Sequence, residues 1–253
     1  MAKSSAGKSS LKRAVRVLEA FDSGVRDLSV SEICRKTGMP LSTAHALAGQ
    51  LVEVGLLERL PSRRYRIGLH MWELAVRTPG AVGMREIATP YLRTVLATLG
   101  HHVQLGILQE GEVLYLERLS GPRAVVIRSA VGTRFPLNAT SSGLILAAFG
   151  EEPLRERMRE LAGTPPRYAP SMTPDEMTAR LDQVREDGYA TTEGYIELEA
   201  TSIAVPILAP NGLAVAALAS IVPTESYDQK RVVAVLRPAA RAISDALQAR
   251  YFG

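Results

Sequence analysis

Residues 29–68 read SVSEICRKTGMPLSTAHALAGQLVEVGLLERLPSRRYRIG, and this stretch decides the fold of the N-terminal part of the chain. Ser29 or Ser31 stands where a helix N-cap belongs, Ile33 faces inward, and Gly38 supplies a left-handed stop. Ser42 or Pro40 opens the next helix. Its Ala44, Leu47, Leu51 and Val54 recur at three- and four-residue spacing, and Gly55 closes it. Two short extended runs follow, LLERL and YRIGL, joined by Pro61-Ser62-Arg63-Arg64. Helix, short Gly-containing turn and helix make the helix-turn-helix arrangement, and the hairpin after it is a wing.

Upstream, Ser10 is read as the cap of a helix carrying Leu11, Ala14, Val15, Leu18 and Phe21 on one face, ended by Gly24. Residues 1–9 hold Ser, Lys, Gly and Ala without an apolar period and are expected to form a disordered tail. AGKSS resembles the end of a phosphate loop, but the first glycine of that motif and the preceding strand are missing. Downstream, residues 69–76 read as a short helix in which Trp72 is a packing anchor. Thr78-Pro79-Gly80 is expected to break it, and a second helical pattern runs from about residue 84 to 99. The expected organisation is a tail over 1–9, a winged helix over 10–68, a linker helix over 69–80 and a second domain over 81–253.

Charge follows the same division. Residues 1–80 hold 13 Lys+Arg and 7 Asp+Glu, whereas the rest hold 17 and 19. The positive excess therefore sits on the helix-turn-helix segment, where phosphate contacts are needed. In this geometry the third helix enters the major groove by its N-terminal end. That places Leu41, Ser42, Thr43 and His45 at base edges, with Ala46 beside them. Arg63, Arg64 and Arg66 would grip phosphate or reach the minor groove, and Arg35 and Lys36 are further phosphate contacts. The expected partner is double-stranded operator DNA, read by a homo-oligomer, because one winged helix alone gives modest specificity.

From residue 101 the pattern changes. VQLGILQ, EVLYLERL and AVVIRS alternate as strands, with Glu110-Gly111 as a hairpin turn. PLNATSSGLILAAF runs from loop into helix, residues 153–161 form a charged surface helix, and Thr173-Pro174-Asp175-Glu176 starts another. SIAVPIL and LAVAALAS flank Asn211-Gly212, a strong hairpin signal, and residues 226–251 form a long amphipathic helix. A meander with helices on one side is an α+β, sensor-like domain.

SLKRAVRVLEAFD, SVSEICRKTGMPLSTAHAL, LVEVGLLER and YRIG resemble the winged helix of the IclR family of bacterial transcription regulators. GTRFPLNATSSG, GYATTEG, SIAVPI and NGLAVAAL resemble that family's effector-binding domain. The resemblance implies an α+β chain: an N-terminal winged helix-turn-helix joined by a linker helix to a GAF-like α/β domain. It also implies dimers or dimers of dimers that answer to a small organic acid. Family members often carry basic residues where Leu41 and Ala46 stand here, so base readout is expected to be more apolar.

The implied effector site covers Asn138, Ala139, Thr140, Ser141, Ser142 and Gly143. There the free N–H groups of a helix start can hold a carboxylate, although Thr140 or Ser141 also serves as a cap. Further family pocket positions fall on Thr192, beside Glu193, and on Ser202, Ala219 and Ile221. Their reduced polarity, and the likeness of SIAVPI to the branch regulating aromatic-acid breakdown, favour an aromatic or hydroaromatic acid. Arg128 and Arg134 could pair with it.

Other classes are poorly served. Cys34, the single cysteine, excludes an internal disulfide and a cysteine-cluster metal site, and is read as a small buried helix residue. His101 and His102 are adjacent and point to opposite faces of a strand, so they cannot share a metal. HExxH, GxSxG and CxxC are absent. No apolar run reaches a membrane span and no signal-peptide pattern is present, so a cytoplasmic protein without cofactor is expected. The alternative is a small-molecule enzyme with a basic N-terminal appendage.

Overall fold

The computed structural model describes residues 6–22, 25–127, 129–165 and 167–251. Residues 1–5 of the expected tail, Gly24 and Arg128 lie outside them. The chain divides into two compact units, the first ending at Val82 and the second starting at Gly83.

The first unit carries α1 (Ala6–Glu19), α2 (Val30–Thr37), α3 (Leu41–Glu53), β1 (Leu57–Arg59), β2 (Tyr65–Ile67) and α4 (Leu69–Ala75). Helix α1 begins at Ala6, so residues 6–9 belong to it and not to a tail. Ser29 is the cap of α2: its hydroxyl accepts from Glu32 N at 3.3 Å, while the Glu32 carboxylate accepts from Ser29 N at 2.8 Å. This reciprocal box satisfies donors the helix start leaves open. Gly38 takes φ 68°, ending α2 in the left-handed conformation. Pro40 opens α3 without a side-chain cap.

Val17, Ile33, Ala44, Leu47, Ala48, Leu51, Leu57 and Tyr65 form one core in this unit. Cys34 is half-buried against it. Three apolar residues expected inside are outside: Val54 is past the end of α3, and Leu11 and Val15 lie on the exposed side of α1. Trp72 is 64 % exposed, so within this unit it anchors nothing.

The second unit contains most of α5 (Pro79–Leu99), which starts at the Pro-Gly pair expected to break the chain. Proline is tolerated in a first helical turn, where its missing N–H has no partner to lose. Then come β3 (His102–Gln109), β4 (Glu112–Leu119), β5 (Arg134–Pro136), a 3-10 turn (Leu137–Ala139), α6 (Ser141–Ala148), α7 (Glu152–Leu161), α8 (Pro174–Asp187), β6 (Ala190–Glu193), β7 (Ala200–Leu208), β8 (Ala214–Pro223) and α9 (Gln229–Tyr251). The strands form one antiparallel sheet in the order β5-β4-β3-β8-β7-β6.

Helices cover both faces, not one. Val113, Tyr115, Ala204, Ala217 and Ala219 pack with α6, α7 and α8 in one cluster. Helix α9 packs on β7 and β8, and its buried Leu236 and Ile243 lie outside that cluster. Double coverage explains why β7 and β8 read as nearly continuous apolar runs. The run AVVIRS forms no strand among its described residues; the third strand of the domain is Arg134–Pro136.

Candidate functional site

Each unit carries one candidate site. In the first, α3 presents Leu41, Ser42, His45 and Ala46 to solvent with Thr43 half-buried, while Ala44 and Leu47 hold the helix to the core. The exposed residues belong to the first turns, the part of such a helix that meets base edges.

The wing is better braced than a two-strand hairpin. Leu28 and Tyr65 exchange both backbone hydrogen bonds, 2.8 and 2.7 Å, adding a bridge from the segment before α2. The arginines then separate by role. Arg63 is exposed at the tip with φ 59°, without an ion-pair partner among the described residues. Arg64 points back: its guanidinium binds Asp27 and lies 2.9 Å from Glu32. Those carboxylates raise the Arg64 pKa, Asp27 first. Glu32 is held below the usual carboxylate value by the Ser29 N–H and hydroxyl first, with Arg64 adding to the effect. Arg64 therefore braces the wing.

Arg66 forms a two-pronged pair with Glu58, both contacts 2.9 Å, directly across the hairpin. Lys36 meets Asp22 at 2.8 Å. Both pairs are solvent-exposed and weak, so phosphate can compete for these cations. Arg35 is exposed on α2 without a described partner. Arg59, on the same strand as Glu58, is a further exposed cation that the sequence reading passed over.

In the second unit a small cavity of about 50 Å³ opens beside the start of α6. Its floor is one face of the sheet. Thr192 pairs with Ser202, and Ser202 with Ile221, so the three lie in one row across β6, β7 and β8. Gln104 on β3 and Tyr115 on β4 continue the floor, with Phe135 edge-on to Tyr115 at 6.0 Å. Ala139 and Thr140 supply the wall at α6. Ile127 and Ser129 line it from one loop, and Tyr195, Ile196 and Glu197 from another.

The cavity wall is organised by α6, whose residues are all buried. Thr140 caps it, its hydroxyl accepting from Gly143 N at 3.0 Å. A side chain at Gly143 would meet Leu137 O at 1.9 Å, so the chain there must be bare. The Ser141 and Ser202 hydroxyls are hydrogen-bonded at 2.7 Å, joining the helix start to the sheet floor. The Tyr115 phenol is pushed up by burial, an effect the Ser142 and Thr140 hydroxyls partly offset. It stays neutral and able to donate. His102 fixes the segment over the cavity: its Nε2 donates to Val125 O at 2.6 Å, and its Nδ1 lies 3.1 Å from the Ser120 hydroxyl.

Ala139, Thr140, Thr192, Ser202 and Ile221 are thus brought together on the cavity, with Ser141 behind Ser202. Others are not. Asn138 is structural, its amide donating to Leu161 O and Thr164 O at 2.8 and 3.2 Å. Ala219 is core, Glu193 is exposed, and Ser142 and Gly143 are buried behind the wall. Arg134 faces Glu110 and Glu112 instead. Tyr115, Gln104 and Ser129 were missed. Gln104 had a signal, being a lone polar residue between Val103 and Leu105 in an apolar strand. No group of metal ligands is assembled among the described residues, and no helix there is long and apolar enough to cross a membrane.

Comparison with known proteins finds matches for both parts of the chain. Residues 10–61 match the IclR helix-turn-helix domain, and residues 78–245 match the bacterial transcriptional regulator IclR C-terminal domain. The chain is 28 % identical to the transcriptional regulator XynR of Escherichia coli over 94 % of its own length and 96 % of that protein. It is 27 % identical to the Pca regulon regulatory protein of Pseudomonas putida, over 83 % and 72 %. Among solved structures, an IclR homolog of Microbacterium hydrocarbonoxydans complexed with 4-hydroxybenzoate superposes with a TM-score of 0.82 at 37 % identity, covering 95 % and 99 % of the two chains. A DNA-reading winged helix ahead of a cavity-bearing GAF-like domain, matched in both parts, makes this chain a member of the IclR family of bacterial transcription regulators.

Proposed function

We propose that the protein binds operator DNA as a homo-oligomer and that a small aromatic acid in the α6 cavity changes that binding. The cavity carries the effector half of this reading. It offers a helix N-terminus and neutral hydroxyl donors for a carboxylate, and Phe135, Ile127, Ile196 and Ile221 for a ring. The 4-hydroxybenzoate held by the Microbacterium protein supports the same ligand class. On the DNA side, Leu41, Ser42, Thr43 and His45 read bases, while Arg63 and Arg35 hold phosphate. Exposed Leu11 and Val15 on α1, with Leu69 and Trp72 at α4, favour pairing of two copies through apolar surface.

A ligand shifts DNA affinity only to the extent that it prefers one state of the protein. The test is fluorescence anisotropy with DNA from upstream of the gene, with and without 4-hydroxybenzoate. Salt-sensitive, sequence-specific binding that the acid changes severalfold is expected. Binding that no aromatic acid alters sinks the effector half, and absence of specific binding sinks the DNA half.

A further inference from the structure

Gln104 is fully buried in the middle of β3. It pairs with Ala219, two residues before Ile221 on β8, which places it on the floor of the cavity with Ile221 and Ser202. Toward β8 and β7 its neighbours are small, Ala219 and then Ala204, with Gly106 ahead and His102 behind it on its own strand, while on its other side it pairs with Arg118 of β4. Its amide Nε2 donates to the Ser129 hydroxyl. Ser129 is itself held, its carbonyl accepting from Arg118. The other end of the amide, Oε1, is buried without a hydrogen-bond partner. Buried polar atoms are almost always satisfied. One left open on the floor of the cavity beside α6 marks a place for a ligand to supply the missing donor.

We infer that Gln104 accepts a hydrogen bond from a hydroxyl on the effector's ring, so that the pocket selects hydroxylated aromatic acids over the same acids without the hydroxyl. This rests on the reading of the cavity as an aromatic-acid site. The placement suits it. Ser202 and Gln104 lie on β7 and β3 with β8 between them, about 10 Å apart across the sheet. A carboxylate at the α6 end and a donor at Gln104 are therefore separated by a ring. A site built to pair a hydroxyl discriminates strongly against the analogue lacking it, because the buried partner is then stranded.

The experiment is calorimetric titration of the full chain with 4-hydroxybenzoate, 4-methylbenzoate and 4-methoxybenzoate. 4-Methylbenzoate matches its size and lacks the donor, and 4-methoxybenzoate keeps the oxygen, adds one carbon and also lacks the donor. Wild-type protein is expected to bind the hydroxy acid at least about tenfold more tightly than either. Gln104→Leu should erase that preference while still binding 4-methylbenzoate. Gln104→Met serves as a second variant if the first fails to fold, with folding checked by the thermal transition without ligand. Equal affinities in the wild type, or a preference that survives in the variants, overturn the role of Gln104. If none of the three acids binds, the aromatic-acid reading itself fails and this inference with it.

Discussion

The chain contains the same turn twice. In the wing, Leu60 N donates to Arg64 O at 2.8 Å and Arg63 N to Leu60 O at 2.9 Å, around Pro61-Ser62-Arg63. Between β7 and β8, Ala209 N donates to Leu213 O and Gly212 N to Ala209 O, both at 2.9 Å, around Pro210-Asn211-Gly212. Each begins with proline and each puts its third residue at positive φ, 59° for Arg63 and 79° for Gly212. Glycine adopts that conformation freely; arginine does so at a cost of order 1 kcal/mol. The unstrained version lies in the sheet, and the strained one at the surface expected to meet DNA. Strain of this kind survives where the surroundings over-determine it. Here the neighbouring Arg64, fixed to Asp27 and Glu32, does so.

Exchanging the two residues tests the contrast. Arg63→Gly should lose roughly tenfold in operator affinity per wing at about 0.1 M salt, with the salt slope falling by about 0.9 per wing. Its thermal stability should hold or rise. Lost affinity with an unchanged slope would show that Arg63 does not touch phosphate. Gly212→Arg should cost about 1–2 kcal/mol, a drop of a few degrees in the transition of the second unit. A Cβ added there meets nothing within 4 Å, so the expected penalty is one of backbone conformation. An unchanged transition would break the comparison. The smallest effect concerns the brace. The folded-state pKa of Glu32 is depressed, so its contribution is present above the ordinary carboxylate value of 4.5 and is lost as pH falls through the folded value. Glu32→Gln keeps the capping geometry and should flatten the acid loss of stability. Glu176→Gln should do less, because Glu176 has the same cap from Thr173 but no arginine.

The two units differ in how much their sequences disclose, for one physical reason. The winged helix is built from short-range signals: Ser29 with Glu32, Gly38, and the spacing of Ala44, Leu47 and Leu51. What it conceals lies where partners are distant: Arg64 pairs with Asp27, 37 residues away, and the Leu28–Tyr65 bridge joins segments with no local mark. In the second unit the hairpins at Glu110-Gly111 and Asn211-Gly212 were legible, and so was the start of α6. Of the cavity floor, Thr192, Ser202 and Ile221 came through the family resemblance, whereas Gln104 did not, because it meets Ala219 only through the register of strands more than a hundred residues apart. The apolar run AVVIRS misled for a related reason. Its β propensity goes unused, and its Ile127 covers the cavity instead.

The Leu28–Tyr65 bridge also makes the reading unit a caliper with a fixed opening. Because one strand of the wing is stitched to Leu28, just before the cap of α2, the wing resists swinging while the helices stay in place. The spacing between α3 and Arg63 is set before DNA arrives. An operator whose groove width departs from that opening must itself deform, and discrimination then extends to base pairs that no side chain reaches.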